Sequence, residues 1–177
     1  ESPLDQTDLA EGGHTLEIKA VNGAGIEGPV TKVDWVVDRT APNAPTITKA
    51  PSGTINSNSP SIEFYGDEEG TTLICSVDGA EPAPCTSPLD LTGLTDGDHN
   101  VKIWQVDAAG NQSDPANVDF TVDTTAPDAP TLDGAPSGTT NSDGASISLS
   151  TNDQTATFLC SVDGGAYAPC TSPLELS

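Results

Sequence analysis

The chain has 177 residues, and 27 Asp and Glu stand against five Lys and Arg, for a net charge of −22. Such a surface repels nucleic acid and anionic membranes, attracts calcium and other hard cations, and leaves few ion pairs to relieve its self-repulsion. Aromatics at 4% and apolar residues at 34% suit several small cores rather than one large one, and no apolar run is long enough to span a membrane.

Taken in chain order, the predicted elements are all extended. Val33, Trp35 and Val37 alternate as one strand face. Thr46–Lys49 and Ser61–Tyr65 are short extended runs, and Thr71–Val77 places Leu73, Cys75 and Val77 on one face. A piece at Ala83–Cys85 returns across the Asp78-Gly79 turn, and Leu89, Leu91 and Leu94 follow. His99–Val106 alternates with Val101 and Ile103 inward, and Val118, Phe120 and Val122 form a last strand. Gly, Pro, Asn and Asp separate these runs and no stretch has helical periodicity, so the expected fold is an antiparallel β-sandwich. The same alternation turns Trp104 outward and Gln105 inward.

The runs repeat at a spacing of 85 residues. Val37-Asp38-Arg39-Thr40-Ala41-Pro42 recurs as Val122-Asp123-Thr124-Thr125-Ala126-Pro127, and Cys75-Ser76-Val77-Asp78-Gly79 as Cys160-Ser161-Val162-Asp163-Gly164. Cys85-Thr86-Ser87-Pro88-Leu89 recurs as Cys170-Thr171-Ser172-Pro173-Leu174, and Ser2-Pro3-Leu4-Asp5 matches Ser87-Pro88-Leu89-Asp90. This register predicts tandem modules: residues 1–38 the C-terminal half of one, 39–123 a complete one, and 124–177 the N-terminal half of the next. The expectation is a stretch from the interior of a longer rod. The competing one is a subunit whose tail half completes the head half of the next, so that identical chains run end to end.

The cysteines lie in pairs ten positions apart, 75/85 and 160/170, around Asp-Gly turns. A tight hairpin brings each pair together, which predicts the disulfides Cys75–Cys85 and Cys160–Cys170, worth about 2–3 kcal/mol each in the chain-entropy model. Zinc is the competing reading, but it needs four ligands, and no His clusters with either pair. Local disulfides place the chain in an oxidising, extracellular setting.

The ordered strings Leu94-Thr95-Asp96-Gly97-Asp98-His99, Val106-Asp107-Ala108-Ala109-Gly110-Asn111 and Val122-Asp123-Thr124-Thr125-Ala126-Pro127 resemble the bacterial Ig-like tandem repeats of large secreted or cell-surface adhesins. The Cys-Ser-Val-Asp-Gly and Cys-Thr-Ser-Pro elements resemble a disulfide-bearing variant of that module. The resemblance implies Ig-like sandwiches, an extracellular place and a structural role beside neighbouring modules; a host or glycan receptor stays unspecified.

In an Ig-like sandwich the entry linker and two loops gather at one pole. Here they carry Asp38, the stretch Asp67-Glu68-Glu69, and Asp107 with Asn111, oxygen ligands of the kind calcium takes. Asp123, Asn152 and Asp153 repeat the set, Asp96 and Asp98 would face the next junction, and related adhesins hold calcium at such junctions. The competing reading is that Asp and Asn are ordinary turn residues here. Asn22 and Ile26 replace Asp107 and Asn111 in the first module, which weakens a site there.

His14 and His99 recur at one place with no repeated nucleophile, and no carboxylate pair is set apart for acid–base work, so an enzyme is not expected. A Lys–Asn crosslink is not expected either, because Lys102 matches Glu17 and Lys49 matches Gly134. Trp104, outward where the first module has Lys19, is a candidate contact for a sugar or a neighbouring chain. Two functions remain: a stiff structural rod or filament, and a glycan- or partner-binding module.

Overall fold

The computed structural model describes residues 4–177, so the Ser2-Pro3 part of the repeat match lies outside it. The protein is all-β, with no helix among the described residues, and divides into two compact units between Thr124 and Thr125.

The first unit opens with a hairpin of β1 (Gly12–Val21) and β2 (Glu27–Val37), antiparallel from Gly12 opposite Val37 to Lys19 opposite Val30. Two sheets follow. One has the order β3 (Thr46–Lys49), β5 (Ser61–Tyr65), β8 (Leu89–Asp90). The other runs β4 (Gly53–Ile55), β10 (Ala116–Val122), β9 (Gly97–Val106), β6 (Thr72–Val77), β7 (Ala83–Pro84). The β4–β10 pair is parallel and the other pairs are antiparallel. Residues 46–55 therefore give one strand to each sheet, which ties the two together. The short β4 was not among the expected strands; three residues carry too little alternation to be read.

One apolar cluster draws on both sheets. Ile62, Phe64 and Leu91 come from the first side; Cys75, Val101 and Ile103 and then Val118, Phe120 and Val122 from the second. The period of two along each strand puts these residues inward and their neighbours out. Inward Gln105, fully buried between Ile103 and Asp107, breaks the apolar run.

The Asp78-Gly79 turn has φ of 51° and then 75°, a left-handed pair closed by the Ala80 N–H on the Val77 carbonyl at 2.9 Å. It folds β7 back on β6, and Cys75 and Cys85 are joined in a disulfide. Buried Cys75 and half-buried Cys85 both pack in the core, so the bond closes the edge of the larger sheet as well as a loop.

The second unit holds β11 (Thr131–Asp133), β12 (Ala145–Ser150) and β15 (Leu174–Leu176) in one sheet, and β13 (Phe158–Cys160) paired with β14 (Ala168–Cys170). Cys160 and Cys170 form the second disulfide across the same Asp-Gly turn. Shifted by 85 residues these strands fall on β3, β5, β8, β6 and β7, while β9 and β10 shift onto β1 and β2. No residue of 125–177 is buried, nor is any described residue before Pro42.

Replacing Cys75 and Cys85 by Ser is expected to lower the stability of residues 39–123 by about 2–3 kcal/mol. Denaturant unfolding of the full chain under non-reducing conditions measures it.

Candidate functional site

The carboxylates and amides singled out by the repeat collect where strands end. At the close of β9, Asp107 Oδ1 accepts the N–H groups of Ala109 and Asn111 at 2.9 and 2.8 Å, and Asn111 Nδ2 donates to Asp107 Oδ2 at 2.8 Å. The Asn111 amide also reaches the Asp38 carbonyl of the entry linker at 3.1 Å. Asn111 is the largest cause holding the Asp107 carboxyl below its usual range; burial opposes it and the backbone N–H groups add to it.

Asn22, the counterpart of Asp107, accepts N–H groups of Ala24 and Ile26 at 3.0 Å each. A neutral amide oxygen thus folds the same loop, which makes the turn the first duty of this position. What the first loop lacks is the Asn111 amide, because Ile26 stands there.

A second cluster lies around Gln105. Its Nε2 donates to the Asn43 carbonyl at 2.6 Å and to Asp67 Oδ1 at 2.9 Å, and its Oε1 accepts the Thr71 hydroxyl at 2.9 Å. Asn43 Nδ2 in turn donates to Asp67 Oδ2 at 2.7 Å. The Asn43 and Gln105 amides hold the Asp67 carboxyl below its usual range. Gly66 is the neighbour this plug requires: a Cβ there would fall 2.2 Å from Gln105 Oε1. Sequence periodicity turned Gln105 inward without a reason; the reason is that one amide links the entry linker, the loop after β5 and the end of β9.

The entry linker, Asp67 and the end of β9 therefore do meet at one pole, but in two separate hydrogen-bonded sets. Among the described residues no three His, Cys, Asp or Glu side chains gather as a metal centre. In the second unit Asp153 accepts the Thr155 hydroxyl and amide, and Asn152 donates to Asp128, as Asn43 does to Asp67 with the roles exchanged.

The other pole holds linkers by carboxylates. Glu11 Oε1 accepts the Arg39 N–H at 3.3 Å and also the Thr40 hydroxyl, and the Arg39 guanidinium donates to the Leu9 carbonyl at 3.1 Å. Its counterpart Asp96 accepts the Thr124 N–H at 2.9 Å and the Thr124 hydroxyl at 2.7 Å. Both clasps join residues 28 apart; the sequence places Asp96 at the next junction but gives no sign of Glu11, which differs from it in type.

His99, also at this pole, is buried. Its Nε2 lies 2.8 Å from the Thr95 carbonyl and its Nδ1 2.8 Å from Asp78 Oδ2. Both partners are acceptors, so only the doubly protonated ring satisfies both. The Thr95 carbonyl and then Asp78 raise its pKa against the opposing effect of burial. Burial also pushes Asp78 up, but the Asn100 N–H and His99 outweigh it and the carboxyl lies low. Trp104 sits half-buried on the face of β9 opposite to Val101 and Ile103, across from Ile74 of β6.

No family model matches the chain, and no curated protein does. Among solved structures it is similar to dimeric latent PorU from Porphyromonas gingivalis, with 16% identity and a TM-score of 0.33 over 86% of this chain. The chain spans only 18% of the length of PorU. So low a score fixes neither fold nor activity.

Gln105→Leu keeps the volume but takes the Nε2 donor from the Asn43 carbonyl and Asp67 Oδ1, while the Thr71 hydroxyl keeps the Glu68 carbonyl; the expected loss is about 1–3 kcal/mol, read by denaturant unfolding. His99 has a definite sign. Its raised native pKa stabilises fully below the unfolded value near 6.5, and that stability fades as pH rises through the native value. Unfolding midpoints should fall as pH rises above about 6.5, and His99→Asn should remove this dependence.

Proposed function

We propose that this chain is a structural segment of an extracellular bacterial adhesin-like protein, built of tandem Ig-like sandwich modules that form a stiff rod. The observation that carries this reading is the recurring clasp: Glu11 on Arg39 and Thr40, and Asp96 on Thr124, one at each junction of the 85-residue period. A linker pinned through its backbone N–H and a neighbouring hydroxyl has fewer conformations than a free one, so adjoining modules turn less against each other. The entry side adds the Asn111 amide on the Asp38 carbonyl. The disulfides support an oxidising location. The clasps, rather than an ion, supply stiffness in this reading.

The second reading is a binding module using Trp104. Its single support is a large aromatic where the first module has Lys19.

Small-angle scattering of the full chain tests the rod. Asp96→Ala should broaden the distribution of interatomic distances, and chelator should leave it unchanged. An unaltered profile for Asp96→Ala would count against the clasp, while shortening by chelator would give calcium the role. Specific binding on a glycan array, lost in Trp104→Ala, would favour the second reading.

A further inference from the structure

The loop between β1 and β2 holds Asn22-Gly23, and no other Asn of the chain precedes a Gly. Asn22 takes the place that Asp107 holds at the end of β9. Asp107 Oδ1 accepts the Ala109 and Asn111 N–H groups, and Asn22 Oδ1 accepts those of Ala24 and Ile26 at 3.0 Å each. The main chain closes both loops in one way, with the Gly25 N–H on the Asn22 carbonyl at 3.0 Å and the Gly110 N–H on the Asp107 carbonyl at 3.3 Å. One loop geometry therefore accepts either an amide or a carboxylate at this position.

The amide brings a reaction that the carboxylate does not. The nitrogen of the next residue can attack a side-chain amide carbon, which closes a cyclic imide and expels ammonia. Attack puts negative charge on Oδ1, and two backbone N–H groups already point at that atom, as donors do in an oxyanion hole. Gly23 supplies the nitrogen. Among the described residues its N–H has no hydrogen-bond partner, and neither has the Asn22 Nδ2 group that would leave. A Cβ built on Gly23 would meet nothing within 4 Å, and both residues are exposed, so no neighbouring group covers the nitrogen.

We infer that Asn22 is a self-modifying site: the Ala24 and Ile26 N–H groups activate its amide toward the Gly23 nitrogen, and the loop converts itself to the acidic form of its counterpart. Hydroxide takes the Gly23 proton as the nitrogen bonds to Cγ. The Cγ–Nδ2 bond then breaks, and Nδ2 takes a proton from water and leaves as ammonia, which restores the hydroxide. Water opens the imide. Cleavage between Cγ and the Gly23 nitrogen gives Asp, and cleavage between the main-chain carbonyl and that nitrogen gives isoaspartate. One water is consumed, one ammonia is released, and the chain gains one negative charge. The reaction concerns one loop and is independent of the rod reading.

Peptide mapping by mass spectrometry tests the inference on the full chain, incubated at mildly alkaline pH beside a capped peptide of residues 21–27 in the same buffer. The peptide has the same Asn-Gly pair without the folded loop. The Asn22 segment should first lose the mass of one ammonia and then gain that of one water. A buried oxyanion donor is worth about a hundredfold or more, and solvent weakens it at an exposed loop, so the folded chain should react about tenfold faster than the peptide. A folded-chain rate no higher than that of the peptide overturns the inference, because the hydrogen bonds would then lock the amide rather than activate it. Ile26→Pro removes one donor and keeps the Ile26 carbonyl that accepts the Asn22 N–H. It should slow the reaction by about threefold or more, and Ile26→Val should not. Equal rates in these two variants overturn the role of the donor. The comparison of chain with peptide decides the inference even where Ile26→Pro disturbs the hairpin, which hydrogen exchange on residues 12–37 checks.

Discussion

β9 is the constraint on which residues 39–123 depend. It is hydrogen-bonded on both sides, to β6 and β10, and its inward residues Val101, Ile103 and Gln105 are fully buried. A strand in that place must satisfy every polar atom it buries, and among the described residues no buried side-chain polar atom lacks a partner. The cost of burying Gln105 is offset by three partners, and those partners sit on the segments that have to converge at that end. At the other end His99 closes the strand against Asp78 and Thr95. One strand therefore fixes the core, the entry pole and the exit pole together.

Most of this strand was legible in the sequence, because a period of two with Val101 and Ile103 inward leaves one choice of face. The Asp-Gly turns and the cysteine spacing were legible for the same reason: both are local. What was not legible is what depends on distant partners. Gln105 needs Asn43 from 62 residues away, and the exit clasp needs Thr124 near Asp96, 28 residues away. The acidic pole was read from topology, which brought the right segments together but not how their oxygens would be used. Asp107 turns on its own loop while Asp67 accepts the Asn43 and Gln105 amides, so the two carboxylates belong to separate hydrogen-bonded sets.

That division explains how a chain so acidic folds with so few cations. The described Lys–carboxylate pairs, Lys19–Glu27, Lys32–Asp34 and Lys49–Glu63, are all exposed, where solvent leaves such pairs little net contribution. Carboxylates with lowered pKa values owe them chiefly to uncharged donors: Thr40 for Glu11, Thr15 for Asp34, Asn43 for Asp67, Asn111 for Asp107 and Thr155 for Asp153. Hydroxyl and amide groups do the work that Lys and Arg do elsewhere. Such contacts are short-ranged and local, so salt should screen them less than surface ion pairs.

The same economy limits how far the core can be divided. An isolated two-stranded hairpin is marginal in water, and β1–β2 exposes Ile18, Val33 and Val36. The second unit has a disulfide and one three-stranded sheet but no buried residue. A disulfide restrains the unfolded chain without supplying an apolar cover.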